Sequence, residues 1–208
     1  EDRADLNAMK RRYAARTSCR TLEAALRGAH VFIGVSAAGC LKPGWLRAME
    51  PYPAIFAMAN PDPEIRPEET AAALAGKPYV MATGRSDTPN QINNVLGFPF
   101  LFRGALDVRA STINMAMKKA AAQALADLAR EPVPESIRAL YADPGLAFGP
   151  GYIVPKPFDR RLFTFVSLAV ARAAVQSGAA RCPEAFDGYA GRLQRRLDRL
   201  PDWTAGVP

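Results

Sequence analysis

The stretch VFIGVSAAGCLKPGWLRAMEPYPAIFAMAN, residues 31–60, contains the pattern that decides the fold. It opens with a short apolar run, Val31 to Val35, whose β-branched and aromatic members are typical of a strand covered on both faces. A glycine-containing turn follows at residues 36–39, and Pro43 stands where a helix can begin. A second apolar run, Ala54 to Met58, completes a strand–helix–strand unit.

The same alternation continues on both sides of this unit. Upstream, Thr21 to Gly28 has helical composition and ends at a glycine suited to a helix C-cap. Downstream, the chain breaks at Asn60-Pro61, and Pro67 opens a helix with acidic residues at the positive end of its dipole. Tyr79 to Ala82 forms a third strand. Strands that alternate with helices predict a parallel sheet with right-handed crossovers, so the fold class is α/β.

Beyond residue 90 the pattern becomes helical. Apolar residues recur at three-to-four-residue spacing from Ile113 to Leu128, with Ser111 or Thr112 as the N-cap. A second long helix, capped by Asp159, is predicted to end near Gly178.

The region between these helices, Pro132 to Pro157, is rich in proline and glycine. It is predicted to be an ordered, loop-rich crossover with one short helix around Ser136 to Leu140. The chain has 208 residues, of which 49% are apolar and 23% are charged, which is the composition of one globular domain.

Composition also narrows the function classes. The longest apolar stretch, Leu162 to Ala171, is far shorter than a bilayer requires, and the charged N-terminus has no apolar signal core. A cytoplasmic protein without membrane contact is therefore expected. His30 is the only histidine, which rules out a multi-histidine metal site and favours a structural or incidental role for His30. The cysteines lack paired spacing, so reduced thiols are expected at Cys19, Cys40 and Cys182.

The net charge of +7 raises the question of nucleic-acid binding. Basic residues cluster near both ends, as Lys10, Arg11, Arg12 and Arg16, and as Arg192, Arg195, Arg196 and Arg199. The second cluster alternates with leucines and predicts an amphipathic helix with Leu193, Leu197 and Leu200 toward the body and the arginines in water. A nucleic-acid-binding module stays a distant alternative, because no aromatic stacking platforms accompany the basic residues.

Ligands of parallel α/β sheets bind beyond the carboxyl ends of the strands, so the residues that follow each strand are candidates. These are residues 36–39, 60–63 and 83–87. Asn60 carries both a donor and an acceptor, and it is as consistent with a turn before proline as with a ligand group. The amide-rich stretch Asn90 to Asn94 leaves the same two possibilities open.

Four acidic residues could suggest a magnesium site: Asp62, Glu64, Glu68 and Glu69. Their position before and within the first turn of a predicted helix explains them better as helix-start acids. The motif GxGxxG does not occur in the sequence, nor does a strand with an acidic residue suited to a ribose. The chain is therefore expected to form the second half of a dinucleotide-binding sheet.

Four segments resemble the malic enzymes, especially the compact bacterial form: VFIGVSAAG (31–39), IFAMANPDPEI (55–65), ATGRSDTPNQINNVLGFPFLFRGALDVRAST (82–112) and YIVPKPFD (152–159). The resemblance runs from about Asp5 to Leu197 and fades after Leu200, so PDWTAGVP is interpreted as a tail. It implies a Rossmann-like parallel sheet followed by C-terminal helices. It also implies oxidative decarboxylation of L-malate to pyruvate and carbon dioxide, with NAD or NADP as hydride acceptor and Mg²⁺ or Mn²⁺ polarising the substrate.

The resemblance also implies roles for individual residues. Asn60 would contact both nicotinamide and substrate, Asn93 would lie near the nicotinamide, and Asn94 would bind the malate carboxylate or hydroxyl. Ser36 and Ala37 would line the cofactor groove. Two positions depart from the family, since His30 replaces a common aspartate and Met115 a frequent glutamate.

In the family, the tyrosine acid, the lysine base, the metal carboxylates and the glycine-rich loop precede the matched region. No catalytic or metal-binding residue is therefore assigned here, and the chain alone is expected to be inactive. Residues 1–131 are expected to be a partial NAD(P)-binding domain, with residues 132–208 packing on it. A homo-oligomer is expected, together with the missing N-terminal catalytic portion as a partner, while the choice between NAD and NADP stays open.

One alternative is a fragment with a half-site. The other is a non-catalytic partner that docks on a full-length enzyme through the open edge of the sheet.

Overall fold

The computed structural model describes residues 6–201. Three strands form a parallel sheet in the order β1-β2-β3, namely β1 (Val31–Gly34), β2 (Ala54–Ala57) and β3 (Val80–Thr83). The register aligns Gly34 with Ala57 and Ala57 with Thr83, so the three strands end at the same level. The predicted parallel α/β sheet is confirmed, and its carboxyl edge is a single row of loops.

Short helices flank the strands: α1 (Ala8–Arg11), α2 (Leu22–Leu26), α3 (Pro43–Leu46) and α4 (Pro67–Ala73). The side chain of Thr21 accepts a hydrogen bond from the backbone N–H of Ala24 at the start of α2, and Gly28 follows that helix with φ +72°. Leu26, Leu46 and Leu74 pack with Phe32 and Ile55 of the sheet, burying its inner face.

The opposite face of β1 differs from the prediction. Val31, Ile33 and Val35 are 49%, 65% and 77% exposed, whereas Phe32 is 8% exposed. The expectation of a strand covered on both faces is therefore wrong for β1. Its inner face packs with α2 and α3, and among residues 6–201 no strand pairs with its outer edge.

Five further helices make up the second half: α5 (Phe98–Asp107), α6 (Met115–Arg130), α7 (Glu135–Leu140), α8 (Arg161–Gln176) and α9 (Tyr189–Arg199). The main helical core lies between α5, α6, α8 and α9. The sequence did not predict α5, where Pro99 lies in the first turn and Gly104 interrupts the apolar pattern. Gly104 permits close helix packing, because a Cβ there would lie 2.4 Å from the carbonyl oxygen of Ser167.

The long helices confirm the predicted pattern but correct its caps. Asn114 is the N-cap of α6, and its Oδ1 accepts a hydrogen bond from the N–H of Met117 at 3.1 Å. Ser111 and Thr112 are not the cap, and the Ser111 hydroxyl instead donates to the carbonyl oxygen of Ala179. Asp159 accepts from the N–H of Arg161 at 3.0 Å, one residue before the N-cap position of α8.

The short helix within the crossover and the end of α8 match the predictions. The short helix predicted around residues 136–140 is α7, and α8 stops two residues before Gly178, whose φ is +70°.

The amphipathic pattern of α9 is confirmed only in part. Leu193 and Leu197 are buried, whereas Leu200 is exposed, so the prediction for Leu200 is wrong because it lies beyond the last helical residue. Of the arginines, Arg195, Arg196 and Arg199 are exposed as predicted, whereas Arg192 is half-buried. Nη1 of Arg196 lies 2.8 Å from Oδ2 of Asp107, and Arg192 donates to the carbonyl oxygen of Asp187.

The basic residues near the start, Lys10, Arg11, Arg12 and Arg16, are exposed, as is His30. Within residues 6–201, no helix combines the length and apolarity needed to cross a membrane. Apart from Pro201, the expected tail lies outside the described residues.

Candidate functional site

The carboxyl edge of the sheet gathers three loops, which follow β1 at Val35, β2 at Met58 and β3 at Gly84. Backbone hydrogen bonds join the first two loops. The N–H of Gly39 donates to the carbonyl oxygen of Pro63 at 3.1 Å, and the N–H of Leu41 donates to that of Glu64 at 3.0 Å.

The carboxylate of Glu64 also connects the loops that follow β1 and β2. Its Oε1 accepts a hydrogen bond from the N–H of Ser36 at 2.8 Å, and its Oε2 accepts from the N–H of Ala59 at 3.0 Å. Glu64 is completely buried. A Cβ at Gly34 would lie 2.4 Å from Cδ of Glu64, so the end of β1 needs a glycine to leave room for this carboxylate.

The interpretation of all four acids as helix-start residues is corrected by these contacts. It is confirmed for Glu68 and Glu69, which lie in the first turn of α4. It is wrong for Glu64, whose side chain turns away from α4 toward the sheet, and for Asp62, which lies 3.7 Å from Nη1 of Arg85. No cluster of three or more His, Cys, Asp or Glu side chains suited to a metal ion occurs within residues 6–201.

Asn60 and Asn93 meet at Gly84, the first residue after β3. A Cβ at Gly84 would lie 2.9 Å from Oδ1 of Asn60, so the Asn60 side chain covers this glycine. Nδ2 of Asn93 donates to the carbonyl oxygen of Gly84 at 3.1 Å. Two candidate residues that lie 33 positions apart in the sequence therefore contact the same backbone unit.

The other candidate residues lie along the same edge, but among residues 6–201 no side-chain hydrogen bond joins them directly to the side chains of this pair. Asn94 is exposed and begins a single 3₁₀ turn, Asn94–Leu96, for which the Oδ1 of Asn93 accepts the N–H of Val95. Ser36 and Ala37 are exposed. Ser36 connects with the Asn60 loop through Glu64.

Asn90 has a different role from its neighbours in the amide-rich stretch. It is 1% exposed, and its Nδ2 donates to the carbonyl oxygens of Met81 at 2.9 Å and Pro150 at 2.7 Å. Its Oδ1 accepts from the N–H of Ile153 at 2.9 Å. Asn90 is therefore a structural residue that fastens the crossover to β3.

Lys156 reinforces this connection, and the sequence analysis did not single it out. Its Nζ donates to the carbonyl oxygen of Pro89 at 2.6 Å and lies 4.8 Å from the ring centroid of Tyr141. Burial lowers the pKa of the Lys156 ammonium.

Beside Asn93, the crossover forms one wall of a groove of about 490 Å³. Its lining combines side chains from both halves of the chain: Ser86, Gln91, Asn93, Val95, Leu140, Tyr141, Pro157 and Phe158. Sequence reasoning placed candidate residues only after the strands and missed the wall supplied by residues 140–158. The proline–phenylalanine pair in YIVPKPFD is the signal that could have indicated it.

An ion pair lies in the loop that follows β3. Nε of Arg85 lies 2.8 Å from Oδ1 of Asp87 and its Nη2 lies 2.5 Å from Oδ2. This hydrogen bonding lowers the pKa of the Asp87 carboxyl.

The sequence matches the family model described as "Malic enzyme, NAD binding domain" over residues 1–142. It is 55% identical over 196 residues to the NADP-dependent malic enzyme of Rhizobium meliloti, covering 94% of this chain and 26% of the relative. The NADP-dependent malic enzyme of Halomonas elongata is 54% identical over 181 residues, covering 87% and 42%. The NAD-dependent malic enzyme of Rhizobium meliloti is 49% identical over 189 residues, covering 90% and 24%.

Among solved structures, the malic enzyme of Pyrococcus horikoshii superposes with a TM-score of 0.67 at 38% identity, covering 86% of this chain and 38% of that one. The malic enzyme of Entamoeba histolytica superposes with a TM-score of 0.66 at 32% identity, covering 88% and 38%. The chain spans between 24% and 42% of the length of the three sequence relatives above.

Proposed function

The chain belongs to the malic enzyme NAD-binding domain family, and from this premise we propose that it forms the nicotinamide-side wall of a malate-oxidising active site. The reaction proposed is the oxidative decarboxylation of L-malate to pyruvate and carbon dioxide with NAD or NADP. Residues 31–107 would supply the wall, with the crossover behind it.

The observation that carries this proposal is the meeting of Asn60 and Asn93 at Gly84. A neutral amide offers a donor and an acceptor together, which suits the carboxamide of a nicotinamide and does not titrate. Because Gly84 has no side chain, the two amides approach the same point without obstruction. A glycine is the residue expected where the protein backbone approaches a ligand such as a planar ring closely.

The groove beside Asn93 fits the same assignment. Tyr141, Pro157 and Phe158 give it an apolar wall, while Gln91 and Asn93 give it polar groups that fix orientation. When bound, the cofactor accepts the hydride from the substrate. The residues of this chain would orient its ring, and the crossover would limit the access of water.

The remaining assignments follow from position along the edge. Asn94 is exposed next to Asn93 and would bind the malate carboxylate or hydroxyl through its amide. Ser36 and Ala37 do not belong to the lining of the groove beside Asn93, and they would line the cofactor-binding edge further along, at the end of β1. No step is assigned to a metal held by residues 6–201, which contain no suitable ligand cluster.

The test is a chimaera of the Rhizobium meliloti NADP-dependent malic enzyme in which the matching segment is replaced by this chain. We expect malate-dependent reduction of NAD or NADP, followed by absorbance, and its loss in the double variant Asn60→Ala/Asn93→Ala. Asn7→Ala, at the exposed cap of α1, is the matched control and should leave activity intact. An active double variant would overturn the assignment. The 208-residue chain alone is expected to give no malate-dependent signal.

A second candidate is favoured by an exposed apolar row formed by Val31 and Ile33 of β1 and by Val35, which follows the strand. Such a row beside an unpaired strand edge promotes association with another polypeptide. The chain would then be a non-catalytic partner that docks on a full-length malic enzyme. Co-elution of the two proteins should be lost with Ile33→Lys and kept with Leu106→Lys, which changes an equally exposed residue on α5. Separate elution of the unaltered chain rejects this candidate.

A further inference from the structure

The buried carboxylate of Glu64 is an unusual element for the carboxyl edge of a sheet. It is completely buried, and an ionised group is costly in that position unless hydrogen bonds compensate it. Each of its oxygens accepts one backbone N–H, from Ser36 and from Ala59. Bonds from an N–H to a carboxylate are stronger than neutral ones. The carboxylate therefore ties together two loops that belong to different strands.

We propose that Glu64 is a positioning residue that sets the separation of the Ser36 loop and the Asn60 loop, and with it the placement of the residues proposed to bind the cofactor at this edge. The reference to a cofactor rests on the proposed function. Ser36 lies two residues after β1, and Ala59 directly precedes Asn60, so the bridge joins a turn proposed to face the cofactor to the proposed nicotinamide ligand.

The neighbouring geometry supports a specific role for the carboxylate rather than for the backbone at this position. Backbone groups of Pro63 and Glu64 already hold Gly39 and Leu41, the far end of the first loop. Ser36, the second residue of the loop, is held only by the side chain of Glu64 among the hydrogen bonds of residues 6–201. Removing the carboxylate therefore frees the near end of the loop and leaves the far end attached.

Gly34 provides a second way to move the same carboxylate. A Cβ there would lie 2.4 Å from Cδ and 2.5 Å from Oε1 of Glu64. Real Cβ atoms do not approach so closely, so Gly34→Ala must displace the carboxylate while leaving it in the chain. Glu64→Gln instead keeps the size of the side chain, but its NH₂ group cannot accept one of the two N–H groups.

The first experiment measures steady-state kinetics of the active chimaera with and without Glu64→Gln. We expect the KM for NAD or NADP to rise about tenfold, as for the loss of one charge-assisted hydrogen bond, with kcat changed by less than about twofold. A role in folding alone would lower kcat through loss of active protein and leave the KM unchanged. That result would overturn the proposal.

The second experiment is a double-mutant cycle between Gly34→Ala and Glu64→Ala in the same chimaera. If Gly34→Ala acts by displacing the carboxylate, it should raise the cofactor KM alone but add little once Glu64→Ala has removed the carboxylate. Full additivity of the two effects on KM contradicts the proposal. Gly44→Ala, on the open surface of α3, is the control for a glycine substitution.

A third measurement separates this proposal from the proposed function. In the 208-residue chain, Glu64→Gln should shift the amide proton signals of Ser36 and Ala59 more than those of Gly39 and Leu41. If the unaltered chimaera does not use NAD or NADP, the proposed function fails, and these signals alone then decide whether Glu64 holds the loops. Unmoved signals at Ser36 and Ala59 reject the bridge.

Discussion

Oδ1 of Asn90 accepts a hydrogen bond from the backbone N–H of Ile153 at 2.9 Å, across 63 residues of chain. The same side chain donates to the carbonyl oxygens of Met81 and Pro150. One amide therefore fastens the end of β3 to the crossover that forms the far wall of the groove. Four positions further along, the exposed Asn94 has the same side chain without such a network.

Asn90→Ala should destabilise the chain strongly. The substitution removes three buried hydrogen bonds and leaves their backbone partners without that side chain, at a cost of about 3 kcal/mol in the free energy of unfolding. Urea denaturation followed by circular dichroism measures it. Asn94→Ala is the matched control and should change the same quantity by less than about 0.5 kcal/mol. Equal effects of the two substitutions would contradict the structural role of Asn90.

Asn94→Ala should instead impair the use of malate. In the active chimaera we expect the KM for malate to rise about tenfold, because an amide that binds the substrate is lost while the fold is kept. Steady-state assays at saturating cofactor measure it, with the melting temperature recorded in parallel. Unchanged kinetic parameters would show that Asn94 does not contact the substrate.

Gly84→Ala should weaken cofactor binding. Its Cβ would lie 2.9 Å from Oδ1 and 3.4 Å from Nδ2 of Asn60, so the asparagine amide must move. We expect roughly tenfold weaker affinity for NAD or NADP in the chimaera, measured by titration calorimetry. Gly44→Ala, where a Cβ meets nothing within 4 Å, should leave the affinity unchanged. A Gly84→Ala variant with full affinity would separate Asn60 from the cofactor.

Tyr152 should make the chain sensitive to alkaline pH. Burial raises the pKa of its hydroxyl from 10.0 to about 12. Between these two pH values the folded state keeps a proton that the unfolded state releases. The contribution of Tyr152 to the free energy of unfolding is therefore complete below pH 10.0 and is lost as pH rises toward about 12. Urea denaturation at several pH values should therefore show less alkaline destabilisation in Tyr152→Phe than in the unaltered chain.

The same variant has a defined result at neutral pH. Within residues 6–201, the hydroxyl of Tyr152 is buried without a hydrogen-bond partner. Tyr152→Phe should therefore be neutral or stabilising, by no more than about 1 kcal/mol. If the free energy of unfolding falls equally with rising pH in the unaltered chain and in Tyr152→Phe, Tyr152 does not cause the alkaline loss of stability. Burial also raises the pKa of the Tyr189 hydroxyl, so Tyr189→Phe serves as the internal comparison.

The sheet could be predicted from the sequence because its signals are local. Each strand is a short apolar run that ends at a glycine or proline turn, and the helices between them begin at Pro43 and Pro67. The helix α5 escaped prediction because Pro99 and Gly104 resemble helix breakers. In the structure the first occupies the tolerant first turn, and the second lets α8 approach.

The candidate site could be predicted only in its position at the carboxyl edge. Nothing local distinguishes Asn90 from Asn94, since two of the three partners of Asn90 lie 60 and 63 residues away in the chain. Glu64 likewise resembles an acid before a helix, whereas its partners lie 5 and 28 residues away in the chain. Burial and long-range pairing determine such roles, and periodicity does not contain that information.

The contact between Gly34 and Glu64 also constrains the order in which this sequence can diverge. A lineage that first acquires a side chain at Gly34 must pass through a form with a displaced carboxylate, whereas one that first shortens Glu64 has space for the methyl group. The two positions should thus behave as an epistatic pair: the second substitution becomes tolerable only after the first. In designed variants of this domain, they are best exchanged together.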